Sequence, residues 1–178
     1  LFSALIYSKG SFVVKMFYDW IGEPLFVKVC SEYLNKFKNK TVVVEDFISV
    51  ASSVLQKDMM PFFDPWLHSY GFPILNVEEI EVDSQKVGIT ISQICKNDEC
   101  SFMFKLPILY EKDGIVNKKV IDVVDFEMKI DIEFDWIIVN DDLAALCFVL
   151  YSKNLLEALK KPNDEKKISS LNKSLILD

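Results

Sequence analysis

The stretch from Trp66 to Val82, WLHSYGFPILNVEEIEV, decides the fold, because the hydrophobic period changes inside it. Before Pro73 apolar residues recur at helical spacing; from Ile74 they alternate. Gly71 suits the left-handed conformation that closes a helix, and Pro73 prevents continuation. A helical half is therefore expected before residue 73 and a β half after it.

Working backwards, a short helix is expected over about Met60 to Tyr70, with Phe62, Phe63, Trp66 and Leu67 inward. A helix begins around Val44-Glu45-Asp46 and continues its apolar face through Phe47, Val50, Ala51, Val54 and Leu55. Glu45 and Asp46 set negative charge at the positive end of the helix dipole, which accounts for them better than a catalytic pair of carboxylates does. Another helix covers about Pro24 to Lys38. Its face holds Leu25, Val29, Tyr33 and Phe37, with Phe26, Cys30 and Leu34 alongside. The first helix runs roughly from Ser3 to Trp20, burying Leu5, Ile6, Val13, Phe17 and Trp20. Between the first two, Gly22 ends one helix and Pro24 opens the next.

Working forwards, ILNVEEIEV and VGITISQI read as strands separated by DSQK. FMFKLPILY carries Pro107, which predicts an edge strand or a bulge. Asp113-Gly114 marks a hairpin turn. Phe126 to Phe134 alternates five apolar with four charged residues, the pattern of a strand with one buried and one wet face. WIIVN and LCFVLY follow as two more strands. About seven short strands without intervening helices predict an antiparallel sandwich. Beyond Tyr151 the pattern turns helical at Leu155 to Leu159 and then becomes charged and polar.

Composition narrows the function. Of 178 residues, 51% are hydrophobic, enough for a core, and the net charge is −7. All 20 basic residues are lysine. With no arginine and no basic stripe, nucleic-acid binding is not expected. No apolar run approaches the length of a membrane span. Four cysteines, Cys30, Cys95, Cys100 and Cys147, make no disulfide scaffold, although Cys95 and Cys100 flank a polar tip and could staple a hairpin. A zinc site from cysteines is poor, because no CxxC spacing exists and His68 is the one histidine. Asn39-Lys40-Thr41 and Asn172-Lys173-Ser174 are sequons that settle no compartment. The chain opens on Leu1 and reads as a fragment of a longer protein.

The order of motifs carries more than any one of them. Tyr7-Ser8-Lys9-Gly10 is followed by Ile21-Gly22-Glu23, Tyr33-Leu34, Glu45-Asp46-Phe47, Trp66 to Pro73, and Trp136 to Asn140 in a strand. Over about residues 1–152 this resembles the M1 family of zinc aminopeptidases, in the stretch just downstream of their zinc site, and is most similar to the cytosolic puromycin-sensitive branch. Two departures stand out. The threonine usual before Glu-Asp is Val44, which lacks a capping oxygen, and Ala145 to Tyr151 lacks the family's glycine and arginine.

The resemblance implies an α+β multidomain fragment. Residues 1–72 would be the C-terminal helices of a thermolysin-like catalytic domain, 73–152 a β-sandwich, and 153–178 a linker or the start of a helical domain. It implies a metallopeptidase that removes N-terminal residues from peptides, with the rest of its own chain as partner, no membrane contact from this segment and a cytoplasmic location. The zinc would be held by His-Glu-x-x-His and a distant Glu. One histidine cannot make that site, so its ligands are expected upstream and the fragment alone is expected to be inactive. What remains is Tyr7, matching the tyrosine that donates a hydrogen bond to the oxyanion as the peptide carbonyl is attacked. A phenol suits this role, being a donor that is neutral at pH 7. Lys9 and Gly10 read equally well as helix packing and surface charge, and Gly10 would let the helix approach a neighbouring element closely. His68 falls where the resemblance places domain packing, and Trp66 and Trp136 read as core anchors. The rival reading is a non-catalytic relative that uses the same scaffold for protein interaction, against which Tyr7 argues; a free-standing adhesive sandwich leaves the helical half unexplained.

Overall fold

A computed structural model describes residues 4–69, 71–82, 86–94 and 101–160. The chain divides into two compact units, Leu1–Ser69 and Tyr70–Asp178.

The first unit is four helices: α1 (Ala4–Ile21), α2 (Glu23–Phe37), α3 (Val44–Leu55) and α4 (Met60–His68). Gly22, at φ 81°, makes the corner between α1 and α2, and Pro24 sits in the first turn of α2. Phe17 is the centre of the core. It is fully buried, and its ring lies 4.9 Å from Phe63, 5.5 Å from Phe62, 6.1 Å from Phe47 and 6.2 Å from Phe26. One ring thus touches a residue from each of the other three helices. Each such aromatic pair adds about 0.5–1.5 kcal/mol beyond the area it buries.

Three expectations about inward faces are corrected. Leu25 and Leu34 are exposed, and α2 buries Val29 with Phe26, Cys30 and Tyr33 half-buried beside it. Residues four apart drift by roughly 40° per step around a helix, so Leu25 leaves the stripe that Val29 centres. In α4, Phe62, Phe63 and Trp66 are buried but Leu67 is exposed. That helix also stops at His68, because Ser69 turns to an extended backbone at φ −87°, ψ 144°.

The second unit holds seven strands among the described residues: β1 (Ile74–Val82), β2 (Lys86–Ile94), β3 (Phe104–Lys112), β4 (Ile115–Val123), β5 (Glu127–Ile130), β6 (Trp136–Val139) and β7 (Phe148–Tyr151). They form one sheet in the order β5-β2-β1-β7 and another in the order β4-β3-β6. Leu75, Val77, Ile89 and Ile91 of the first sheet and Phe104, Leu106, Ile108 and Ile137 of the second are all buried. Gln93 is a buried polar pin: its amide donates to the carbonyls of Phe102 and Asp125 at 3.0 Å and accepts from the Phe102 N–H at 3.0 Å.

The antiparallel expectation holds for every pair but one. β7 runs parallel to β1, Ile74 facing Phe148 and Val77 facing Tyr151. Four alternating residues reveal a strand but not its direction; the chain crosses the other sheet before returning beside β1. Pro107 does not mark an edge strand. β3 is the centre of its sheet, but the β6 ladder begins at Ile108, so Pro107 lies just outside it. The strand expected over Phe126 to Phe134 keeps its alternation only from Met128 onward, with Ile130 and Ile132 buried and the charged residues exposed; Phe126 is exposed, and only Glu127–Ile130 pairs. The β3–β4 turn is as read, with Asp113 at φ 52° and Gly114 at φ 78°, the two left-handed residues of a type I′ turn.

After β7 the short helix α5 (Lys153–Ala158) is capped by the Ser152 side chain, which accepts from the Leu155 N–H at 3.4 Å. It lies over β6, Leu159 joining Trp136 and Ile138 in one cluster with Leu109 and Tyr151. The suggested Cys95–Cys100 staple, Asn172 and the tail beyond residue 160 lie outside the described residues.

Candidate active site

Tyr7 stands in the second turn of α1 with 64% of its surface exposed. The helix is rooted further along, where Val13, Met16 and Phe17 are buried. Tyr7 is thus carried on the outer face of the helical unit. A phenol can donate one hydrogen bond.

Lys9 is half-buried, and its Nζ donates to the Ser69 carbonyl at 3.4 Å, at the end of α4. Burial pushes its ammonium below the usual lysine range. Gly10 does not serve a close approach among the described residues: a Cβ there would meet nothing within 4 Å. Lys9 and Gly10 instead border an open groove of about 730 Å³, lined otherwise by apolar groups from all four helices, including Val14, Phe26, Phe47 and Leu67. Neither the groove nor the Lys9–Ser69 contact was read from sequence. The signal for the second was present, since Lys9 lies four residues before buried Val13 and so on the same helix face.

The other candidates fall into structural roles. His68 is exposed and its Nδ1 lies 2.9 Å from Asp64 Oδ1, one turn earlier. Asp46 reaches back to the Val43 N–H at 3.0 Å, while Glu45 is exposed. The two carboxylates therefore do not act as a pair. Trp66 and Trp136 are buried core anchors. Cys30 and Cys147 are free thiols. Among the described residues no group of three or more His, Cys, Asp or Glu side chains is placed to hold a metal ion. These residues do not fit the zinc set that the resemblance implies.

Similarity to known proteins runs to aminopeptidases. The chain is 30% identical over 171 residues to the alanine/arginine aminopeptidase of Saccharomyces cerevisiae, covering 90% of this chain and 19% of that protein. It is 39% identical over 89 residues to the glutamyl aminopeptidase of Sus scrofa, covering 48% of this chain and 9% of that protein. The fold is shared with the crystal structure of Legionella pneumophila aminopeptidase A in complex with aspartic acid, at a TM-score of 0.71 and 20% identity over 96% of this chain and 23% of that one. Residues 1–66, which include Tyr7, match the peptidase family M1 domain, and the resemblance to that family read from the motifs holds. The chain spans a fifth or less of the length of these two curated relatives.

Proposed function

We propose that this chain is part of an M1-type zinc aminopeptidase that removes N-terminal residues from peptides, and that Tyr7 donates a hydrogen bond to the oxyanion formed when the scissile carbonyl is attacked. The observation that carries the reading is Tyr7 itself, an exposed phenol on α1 within the segment that matches the M1 domain. In this reading α1 to α4 complete a catalytic domain whose zinc ligands lie in sequence outside these 178 residues. The chain alone is then inactive, it belongs to the puromycin-sensitive branch, and the compartment is the cytoplasm. The two-sheet unit contributes no catalytic group and serves as a spacer.

The chemistry asked of Tyr7 is specific. As the carbonyl carbon becomes tetrahedral, negative charge gathers on its oxygen. A fixed neutral donor stabilises that charge more than it stabilises the ground-state carbonyl, so the rate rises. In the complete protein, Tyr7→Phe should lower kcat by about 100- to 1,000-fold with zinc content unchanged. Turnover equal to wild type would remove Tyr7 from the chemistry and favour the scaffold reading.

A further inference from the structure

The first turns of α1 are weakly held by their own sequence. Ser8, Gly10 and Ser11 occupy helix-interior positions. Glycine there costs about 1 kcal/mol relative to alanine, and serine less. From Tyr7 to Phe12 every side chain is exposed except Lys9. Among the side chains described, Val13 is the first that is buried, more than a turn beyond Tyr7. Such a segment opens locally at low cost.

Lys9 runs against that trend. Its stem is drawn down the face shared with Val13 and its Nζ reaches the Ser69 carbonyl at 3.4 Å. Ser69 caps the C-terminus of α4, where carbonyls lack helical partners and the helix dipole is negative. A cation is the fitting group for that end. The contact bridges residues sixty apart in sequence, and it fastens the turn that carries Tyr7 to a helix whose Phe62, Phe63 and Trp66 are locked in the core.

We propose that Lys9 is a positioning residue: its ammonium, docked on the Ser69 carbonyl, holds the opening turns of α1 and so fixes where the Tyr7 hydroxyl stands. The inference rests on the catalytic reading of Tyr7. Burial of the amine, which lowers its proton affinity, fits an ammonium turned inward rather than into solvent.

The test uses the complete protein, an alanyl p-nitroanilide as probe, and amide hydrogen exchange. Lys9→Met keeps the stem and removes the charge. It should lower kcat by about 10- to 100-fold, as a small misplacement of a catalytic group does, with KM little changed. Exchange should quicken at residues 7–12 and stay slow at 13–21. Lys9→Arg should restore most of both. Adding Lys9→Met to Tyr7→Phe should cost no more than Tyr7→Phe alone. If Lys9→Met does not accumulate as folded enzyme, Lys9→Gln takes its place. Tyr7→Phe impaired, with the Lys9 variant unchanged in kcat and exchange, overturns this inference and spares the reading of Tyr7. Tyr7→Phe at wild-type turnover overturns both.

Discussion

Val43 occupies the N-cap of α3 with no side-chain oxygen to offer, one residue before the position where the sequence comparison placed the missing threonine. The helix compensates from inside: Asp46, at the third position, accepts from the Val43 N–H, and its own N–H donates to the Val43 carbonyl at 3.2 Å. This is half of a capping box, the half that needs a carboxylate. Restoring the other half with Val43→Thr should stabilise the chain by about 0.5–1 kcal/mol. Asp46→Ala should destabilise it by about 1 kcal/mol. Urea midpoints at neutral pH would measure both, and equal midpoints for all three proteins would show that neither cap matters. The acidic pair was legible in the sequence as dipole compensation; which residue would reach back was not, because that depends on a helix start fixed to within one position.

At the scale of elements, strand patterns were legible wherever one face is wet. β1, β2 and the β3–β4 hairpin announce themselves by alternation and by Asp113-Gly114. WIIV reads less clearly, because all four residues are buried: one face meets the core and the other lies under α5. The corner after it was not foreseen. Asn140 is buried at φ 66°, and its side chain brackets Ala145, donating to the carbonyl at 3.0 Å and accepting from the N–H at 2.9 Å. Asp142 and Leu143 follow at φ 57° and 53°. Beside them nearly buried Asp141 meets Lys118 at 2.6 Å. Sequence presents only the strand-ending asparagine of the family pattern; the bracket requires the fold. Asn140→Ala removes two buried hydrogen bonds and the residue type that best tolerates a left-handed backbone. It should cost about 2–4 kcal/mol, read as a lowered denaturation midpoint. Asn140→Gly keeps the backbone freedom and should recover a part of that loss. An unchanged midpoint in Asn140→Ala would show the bracket to be idle.

For the molecule as a whole, alkaline pH is the expected weakness. Burial pushes the Cys147 thiol up to about 12, and burial also raises the Tyr151 phenol, whose oxygen is bonded to the Val139 backbone. The Asp141 carboxylate holds Lys118 above its usual range. All three groups keep their protons more tightly in the folded chain than in the unfolded one. Their contribution is complete below the unfolded values and fades as pH climbs through the folded ones. For Cys147 the window opens near pH 9 and closes near pH 12. Across it one retained proton corresponds to a loss of up to about 1.4 kcal/mol per pH unit. Urea midpoints should fall from pH 9 upward, and Cys147→Ala should flatten that fall. Midpoints level between pH 8 and 11 would contradict it. None of this was visible in the sequence, where Cys147 is one thiol among four and Tyr151 the last residue of a strand.

The parallel pairing of β7 with β1 has a consequence for synthesis on the ribosome. The opening strand of the second unit emerges early, and its antiparallel neighbour β2 follows at once, but its other flank stays bare until the chain has been made past Tyr151. Nascent chains halted between β6 and β7 would therefore display an unzipped flank to chaperones and to one another, whereas chains released after α5 would have sealed it.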